Sequence, residues 1–211
     1  MNPNNDLRYM QLALEQARAA EASGEVPVGA VVISPQGEVL GRGNNAVLRT
    51  SDPTAHAEIV AMREAGRVLG NYRLLGCTVY VTLEPCAMCA GAMLHARLQR
   101  LVFSARDPKA GACGSVLTVM NHPALNHRIE LSEGPLAETC STLLSDFFRR
   151  RRASWAAKLA SGQLHASDLL TANETGSAAN GHTQSSEESI EEGRDEESIE
   201  EGRDEDTSQA S

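Results

Sequence analysis

The chain has 211 residues, 41% of them hydrophobic, which suffices for one domain of about 150 residues with an extension. Its five cysteines are odd in number and nowhere do about 18 apolar residues run together, so a disulfide-built scaffold and a membrane-spanning chain are both excluded as classes. The net charge of -9 divides unevenly, with 17 Lys+Arg against 15 Asp+Glu in residues 1–173 and 2 against 13 in residues 174–211, so the mildly basic first part is compatible with a nucleic-acid ligand. The N-terminus shows no basic start followed by an apolar run, and the expected location is cytoplasmic.

In chain order, Met10, Ala13, Leu14 and Ala17 recur at helical spacing and predict a helix from Asp6 to about Ala22, with Gly24 as its stop. Val28 to Ser34 reads as a strand, Pro35-Gln36-Gly37 as a turn and Val39-Leu40 as the return strand of a hairpin. Gly41 to Thr54 reads as a loop. A helix is expected from an N-cap at Thr54 to about Gly70, with His56 and Glu58 in its first turn. Cys77 to Leu83 is a predicted strand that leads into a second helix opened by Pro85 at its N1 position. Further strands are expected at Leu101 to Ala105 and Arg128 to Leu131. An amphipathic helix follows from Pro135 and ends in Arg149-Arg150-Arg151-Arg152. Alternation of strands and helices predicts a sheet sandwiched by helices, an α/β fold.

Three regions follow from composition: a domain at 1–155, a weakly helical extension at 156–173 and an acidic tail at 174–211. The tail holds a nine-residue repeat, Glu187 to Asp195 and again Glu196 to Asp204, and few apolar side chains, so it is expected to be disordered.

The chemistry centres on Pro85-Cys86-Ala87-Met88-Cys89. Two cysteines three apart share a helical face, and a helix N-terminus favours their thiolate form. Zinc takes about four ligands, and His56 supplies a third. His/Cys/Cys leaves a fourth position open, as a catalytic zinc requires, unless Cys77, Cys113 or Cys140 closes it. Cys77 and Cys140 fall on core positions of a strand and a helix, and Cys113 lies in a loop. Glu58, two residues after His56, suits a proton shuttle between a zinc-activated water and a substrate nitrogen, the division of labour of hydrolytic deamination. The arginine run has a plain structural use as well, since cations complement the C-terminal end of a helix.

His56-Ala57-Glu58 followed by Pro85-Cys86-Ala87-Met88-Cys89 is the pattern of zinc nucleobase deaminases. With Val26-Pro27-Val28-Gly29-Ala30, Asn44-Asn45, Asp52-Pro53-Thr54-Ala55, Asp107-Pro108-Lys109-Ala110-Gly111, His122-Pro123, Asn126-His127 and Leu144-Ser145-Asp146-Phe147-Phe148-Arg149, the chain resembles the bacterial tRNA adenosine deaminases from about Asp6 to Arg152. The resemblance implies a three-layer α/β/α cytidine deaminase-like fold with a mixed central sheet of about five strands flanked by helices, one zinc per subunit, a homodimer, and conversion of the wobble adenosine in a tRNA anticodon loop to inosine. It implies His56, Cys86 and Cys89 as zinc ligands and Glu58 as catalytic acid and base. It also implies Asn45 bonding the flipped base, Val28 and Leu83 as pocket wall, and Asp107, His122, Phe148 and Arg151 on the neighbouring nucleotides. The alternative is a zinc deaminase of free nucleosides, nucleotides or purine bases, which has no need of the basic Phe147 to Arg152 end.

Overall fold

The structure is a computed structural model and describes residues 3–120 and 122–162. Five strands, β1 (Gly29–Ile33), β2 (Val39–Asn44), β3 (Thr78–Leu83), β4 (Arg100–Ala105) and β5 (Glu130–Glu133), form one sheet in the order β2-β1-β3-β4-β5. β1 is antiparallel to both neighbours, whereas β3, β4 and β5 run parallel. The helices are α1 (Pro3–Ala22), the short α2 (Val47–Thr50), α3 (Ala57–Leu69), α4 (Ala87–His95) and α5 (Ala137–Ala160).

The three central strands are buried almost throughout, as strands covered on both faces must be. Alternation sorts their side chains into two layers. Val31, Ile33, Tyr80 and Val102 meet Tyr9, Met10 and Ala13 of α1 on one face. Val32, Val79, Val81, Leu101 and Phe103 meet Ile59 and Met62 of α3 and Ala90 and Met93 of α4 on the other. Each such side chain, fully buried, contributes about 1.5–3 kcal/mol of hydrophobic transfer, and this two-sided packing fixes the register of the sheet.

Two elements differ from expectation, one of them for a steric reason. The segment from Gly41 does not loop but continues β2 to Asn44, because α3 lies directly on it. A Cβ on Gly41 would stand 2.2 Å from the Ala61 carbonyl oxygen, and one on Gly43 2.1 Å from that of Ala57. These glycines are there for close approach and not for a turn. The remainder of the expected loop contains α2. Three boundaries also move: α3 is capped by His56 and not Thr54, α4 is capped by Cys86 so that Pro85 precedes the helix, and α5 runs on through Trp155 to Ala160. Thr54 instead donates its hydroxyl to Asp52 at 2.7 Å. The acidic tail and most of the extension before it lie outside the described residues. Among those described, no helix is long and apolar enough to cross a membrane.

Candidate metal centre and active site

His56 and Cys86 each occupy the residue before the first turn of a helix, in extended backbone with ψ of 154° and 172°. Such a position ordinarily carries a side-chain oxygen that accepts from a helix N–H, yet neither residue makes a side-chain cap bond. Their side chains face each other instead. His56 Nδ1 lies 3.6 Å from Cys86 Sγ and 3.5 Å from Cys89 Sγ. Among the described residues these three form the group whose ligand atoms all fall within 4.8 Å of one another, a potential metal site. Two sulfurs and an imidazole make a soft donor set, suited to a transition metal and not to magnesium or calcium.

The electrostatics agree with a site built for a cation. Hydrogen bonding from Cys89, with help from His56, holds Cys86 down at about 3, and the same bond together with burial pushes Cys89 up. His56 is raised by its bond to Cys86. Cys86 thus stands as a thiolate that accepts from the Cys89 thiol and the His56 ring, and the positive potential at the N-termini of α3 and α4 favours that charge. Cys113 is apart from this group: burial pushes its thiol up to about 12, and its Sγ lies 3.9 Å from Met120 Sδ. Cys77 and Cys140 are buried core residues, as their positions predicted.

Glu58, in the first turn of α3, is 4% exposed, and burial is the chief reason its carboxyl is raised above the ordinary range. Two of the residues expected to wall the pocket share one packing cluster. The β1–β3 register pairs Ala30 with Val81, so two residues back Val28 comes opposite Leu83, and both belong to the packing on the α3–α4 face. Asn45 is buried beside them, its N–H bonded to the Val28 carbonyl at 3.1 Å. The buried Glu25 accepts from the Arg49 N–H at 2.8 Å and so caps α2, the turn immediately after Asn45.

A cleft of about 460 Å³ brings Leu83, Asp107 and Phe148 together with Arg106, Lys109 and Arg152. Arg151 is turned elsewhere, its guanidinium 5.7 Å from the centre of the Phe147 ring, while Arg152 of the same run lines the cleft. His122 is exposed, accepts from the Ala124 N–H at 3.3 Å and does not line that cleft.

One residue stands out that the sequence reading left without a role. Glu84, between β3 and the Pro85-Cys86 turn, has a fully buried side chain that accepts from the backbone N–H groups of Asp107, Cys113 and Ser115. The available signal was an acidic residue at the end of a buried strand, directly ahead of Pro-Cys.

A mixed five-stranded sheet with His-x-Glu at the start of one helix and Pro-Cys-x-x-Cys at the start of the next defines a deaminase, and the profile of the MafB19-like deaminase family matches residues 4–152. More narrowly, the chain belongs to the tRNA-specific adenosine deaminases: it is 52% identical over 147 residues to the tRNA-specific adenosine deaminase of Haemophilus influenzae, covering 70% of this chain and 85% of that one. A solved structure from studies of A-to-I editing by tRNA:A34 deaminases at the wobble position of transfer RNA is 41% identical, with a TM-score of 0.63, over 65% of this chain and 99% of that one. The guanine deaminase from Nitrosomonas europaea is also similar, at 26% identity and a TM-score of 0.58, over 66% of this chain and 82% of that one.

Proposed function

We propose that this chain hydrolyses the wobble adenosine of a tRNA anticodon loop to inosine, releasing ammonia, with His56, Cys86 and Cys89 holding zinc and Glu58 moving the protons. The observation that carries the reading is the convergence of those three ligand atoms at two helix starts with a buried carboxyl, Glu58, in the first turn of one of them. The separations fit zinc. A tetrahedral ion with bonds of about 2.3 Å to sulfur and 2.05 Å to nitrogen sets its ligands about 3.6 Å apart, and the two Nδ1–Sγ distances are 3.6 and 3.5 Å. Zinc bound here supplies the Lewis acidity that makes a water nucleophilic near neutral pH.

Glu58 takes one proton from the attacking water and delivers it to adenine N1, then carries the water's second proton to the departing amine, which leaves as ammonia. Burial suits it to both, because a desolvated carboxylate has a raised affinity for the proton it must carry. Asn45 bonds the edge of the flipped base, and Val28 and Leu83 exclude water from its faces. Asp107 and Phe148, in one cleft with basic Arg106, Lys109 and Arg152, receive the flanking nucleotides, with His122 and Arg151 on the periphery. The five unbridged cysteines suit a reducing, cytoplasmic setting. The functional unit is a homodimer, and the exposed apolar side chains of Val68, Tyr72 and Leu75 around the end of α3 suit a second copy of the chain. Sedimentation of the purified protein tests this, and a monomer at working concentration refutes it.

The activity itself is tested by incubating the zinc-loaded protein with an anticodon stem-loop carrying a wobble adenosine and, in parallel, with free adenosine, cytidine and guanine. Inosine formed in the stem-loop alone supports the reading. Turnover of the free compounds alone selects the small-molecule alternative, to which the similarity with a guanine deaminase points.

A further inference from the structure

The loop from 106 to 115 carries Asp107, a residue given above to the RNA, and it is folded around the carboxylate of the residue that precedes Pro85-Cys86. Glu84 places two oxygens among four donors. Its Oε1 accepts from the Cys113 N–H at 2.9 Å and the Ser115 N–H at 3.1 Å. Its Oε2 accepts from the Asp107 N–H at 3.1 Å and from the Ser115 hydroxyl. Arg106 Nη1 stands 4.0 Å from the same Oε2. The loop is drawn so tightly around this carboxylate that a Cβ on Gly111 would lie 2.5 Å from Glu84 Cδ. Asp107 relays the order outward, its Oδ1 accepting from the Lys109 and Ala110 N–H groups at 2.9 and 3.2 Å. On the inner side, Pro85 offers its carbonyl to the Ala112 N–H at 2.8 Å, and Cys86 pairs with Gly111.

We propose that Glu84 is a positioning residue for substrate: its buried carboxylate fixes Asp107 and the RNA-facing loop against the Pro85-Cys86 turn, so that the cleft and the metal ligands keep one spacing. The inference rests on the functional reading above, which makes Asp107 a nucleotide contact. It predicts that Glu84 governs how well the stem-loop is held and not the proton transfers that follow.

The donor pattern supplies a selective variant. In Glu84→Gln the amide nitrogen set at the Oε1 side would oppose two backbone N–H groups, whereas at the Oε2 side it opposes only that of Asp107, because the Ser115 hydroxyl can turn and accept. The amide therefore settles at Oε2, where the Asp107 N–H loses its acceptor and Arg106 loses the carboxylate charge beside it. Gly111→Ala leaves the carboxylate intact but crowds both Glu84 Cδ and the Asp107 carbonyl oxygen, at 2.5 and 2.6 Å, and so disturbs the same loop from its own side.

The experiment measures steady-state inosine formation in the anticodon stem-loop by the full chain, with zinc content determined for each variant. Wild-type turnover of the stem-loop comes first, and its absence would refute the functional reading and not the role of Glu84. With turnover established, Glu84→Gln is expected to raise KM about tenfold, the equivalent of one lost hydrogen bond, with kcat within about twofold of native and zinc retained. Gly111→Ala should show the same split. The double variant Glu84→Gln, Asp107→Ala should be no worse than Asp107→Ala alone. A native KM in both Glu84→Gln and Gly111→Ala, a loss confined to kcat, or additive effects in the double variant would overturn the proposal.

Discussion

Arg100 and Asp6, 94 residues apart in the chain, are joined by two parallel hydrogen bonds, Nη1 to Oδ1 and Nη2 to Oδ2, each 2.9 Å long. They tie the first turn of α1 to the start of β4, and the Tyr80 hydroxyl adds a third bond to Oδ1 at 2.7 Å. The guanidinium is almost fully buried.

Arg100 holds the Asp6 carboxyl below its ordinary 3.8, against the opposing effect of burial. A carboxyl depressed on folding contributes stability that is present above pH 3.8 and is lost as pH falls through the folded value. Asp6→Asn should therefore cost about 3 kcal/mol at neutral pH, the low end for a broken buried pair, since Glu130 and Ser132 still bond Arg100. Urea unfolding at neutral pH and again well below pH 3.8 checks this. A cost that does not shrink in acid would show that the charge is irrelevant.

Glu58→Gln keeps the shape of the side chain and removes its ability to carry a proton. Stem-loop deamination should fall by about 10³-fold, within the range of a lost general acid and base, while bound zinc is unchanged. Retained activity would exclude Glu58 from the chemistry. Loss of zinc would instead make it a structural support for the ligands.

Cys86→Ser should leave less than one zinc per chain after dialysis, where the native protein holds about one. Chelation of the native protein should lower its melting temperature, and restored zinc should return it. A melting temperature indifferent to chelator would mean that no ion is held by these three residues.

Gly43→Ala should destabilise the protein by about 3 kcal/mol, because the added carbon meets the Ala57 carbonyl oxygen at 2.1 Å and the Ala61 nitrogen at 2.5 Å. Gly91→Ala, inside α4 with nothing within 4 Å of the new carbon, should instead stabilise it by about 0.8 kcal/mol. Chemical denaturation of both variants decides it, and equal effects would contradict the packing of α3 on β2.

The cluster of His56, Cys86 and Cys89 was legible because its spacing is local chemistry: two cysteines three apart, a histidine and a glutamate two apart, each on a predicted helix start. The strands and long helices were legible from hydrophobic period. What escaped depended on partners distant in sequence. Gly41 and Gly43 look like loop residues until α3 is known to rest on them, and α2, four residues long, has no period to read. The caps were misplaced because Thr54 and Pro85 have the chemistry of helix starts, while His56 and Cys86 hold those positions for another purpose. The choice between Arg151 and Arg152 rests on which side of one helical turn faces the cleft. Glu84 acquires its meaning only from donors 23 to 31 residues later.

His56 and Cys86 stand at the starts of α3 and α4, so the three ligand atoms meet only when both helix starts are in place. Holding an ion there and holding these two helix starts together are therefore coupled events. The affinity of the cluster for a metal becomes a gauge of how firmly the two helices are docked.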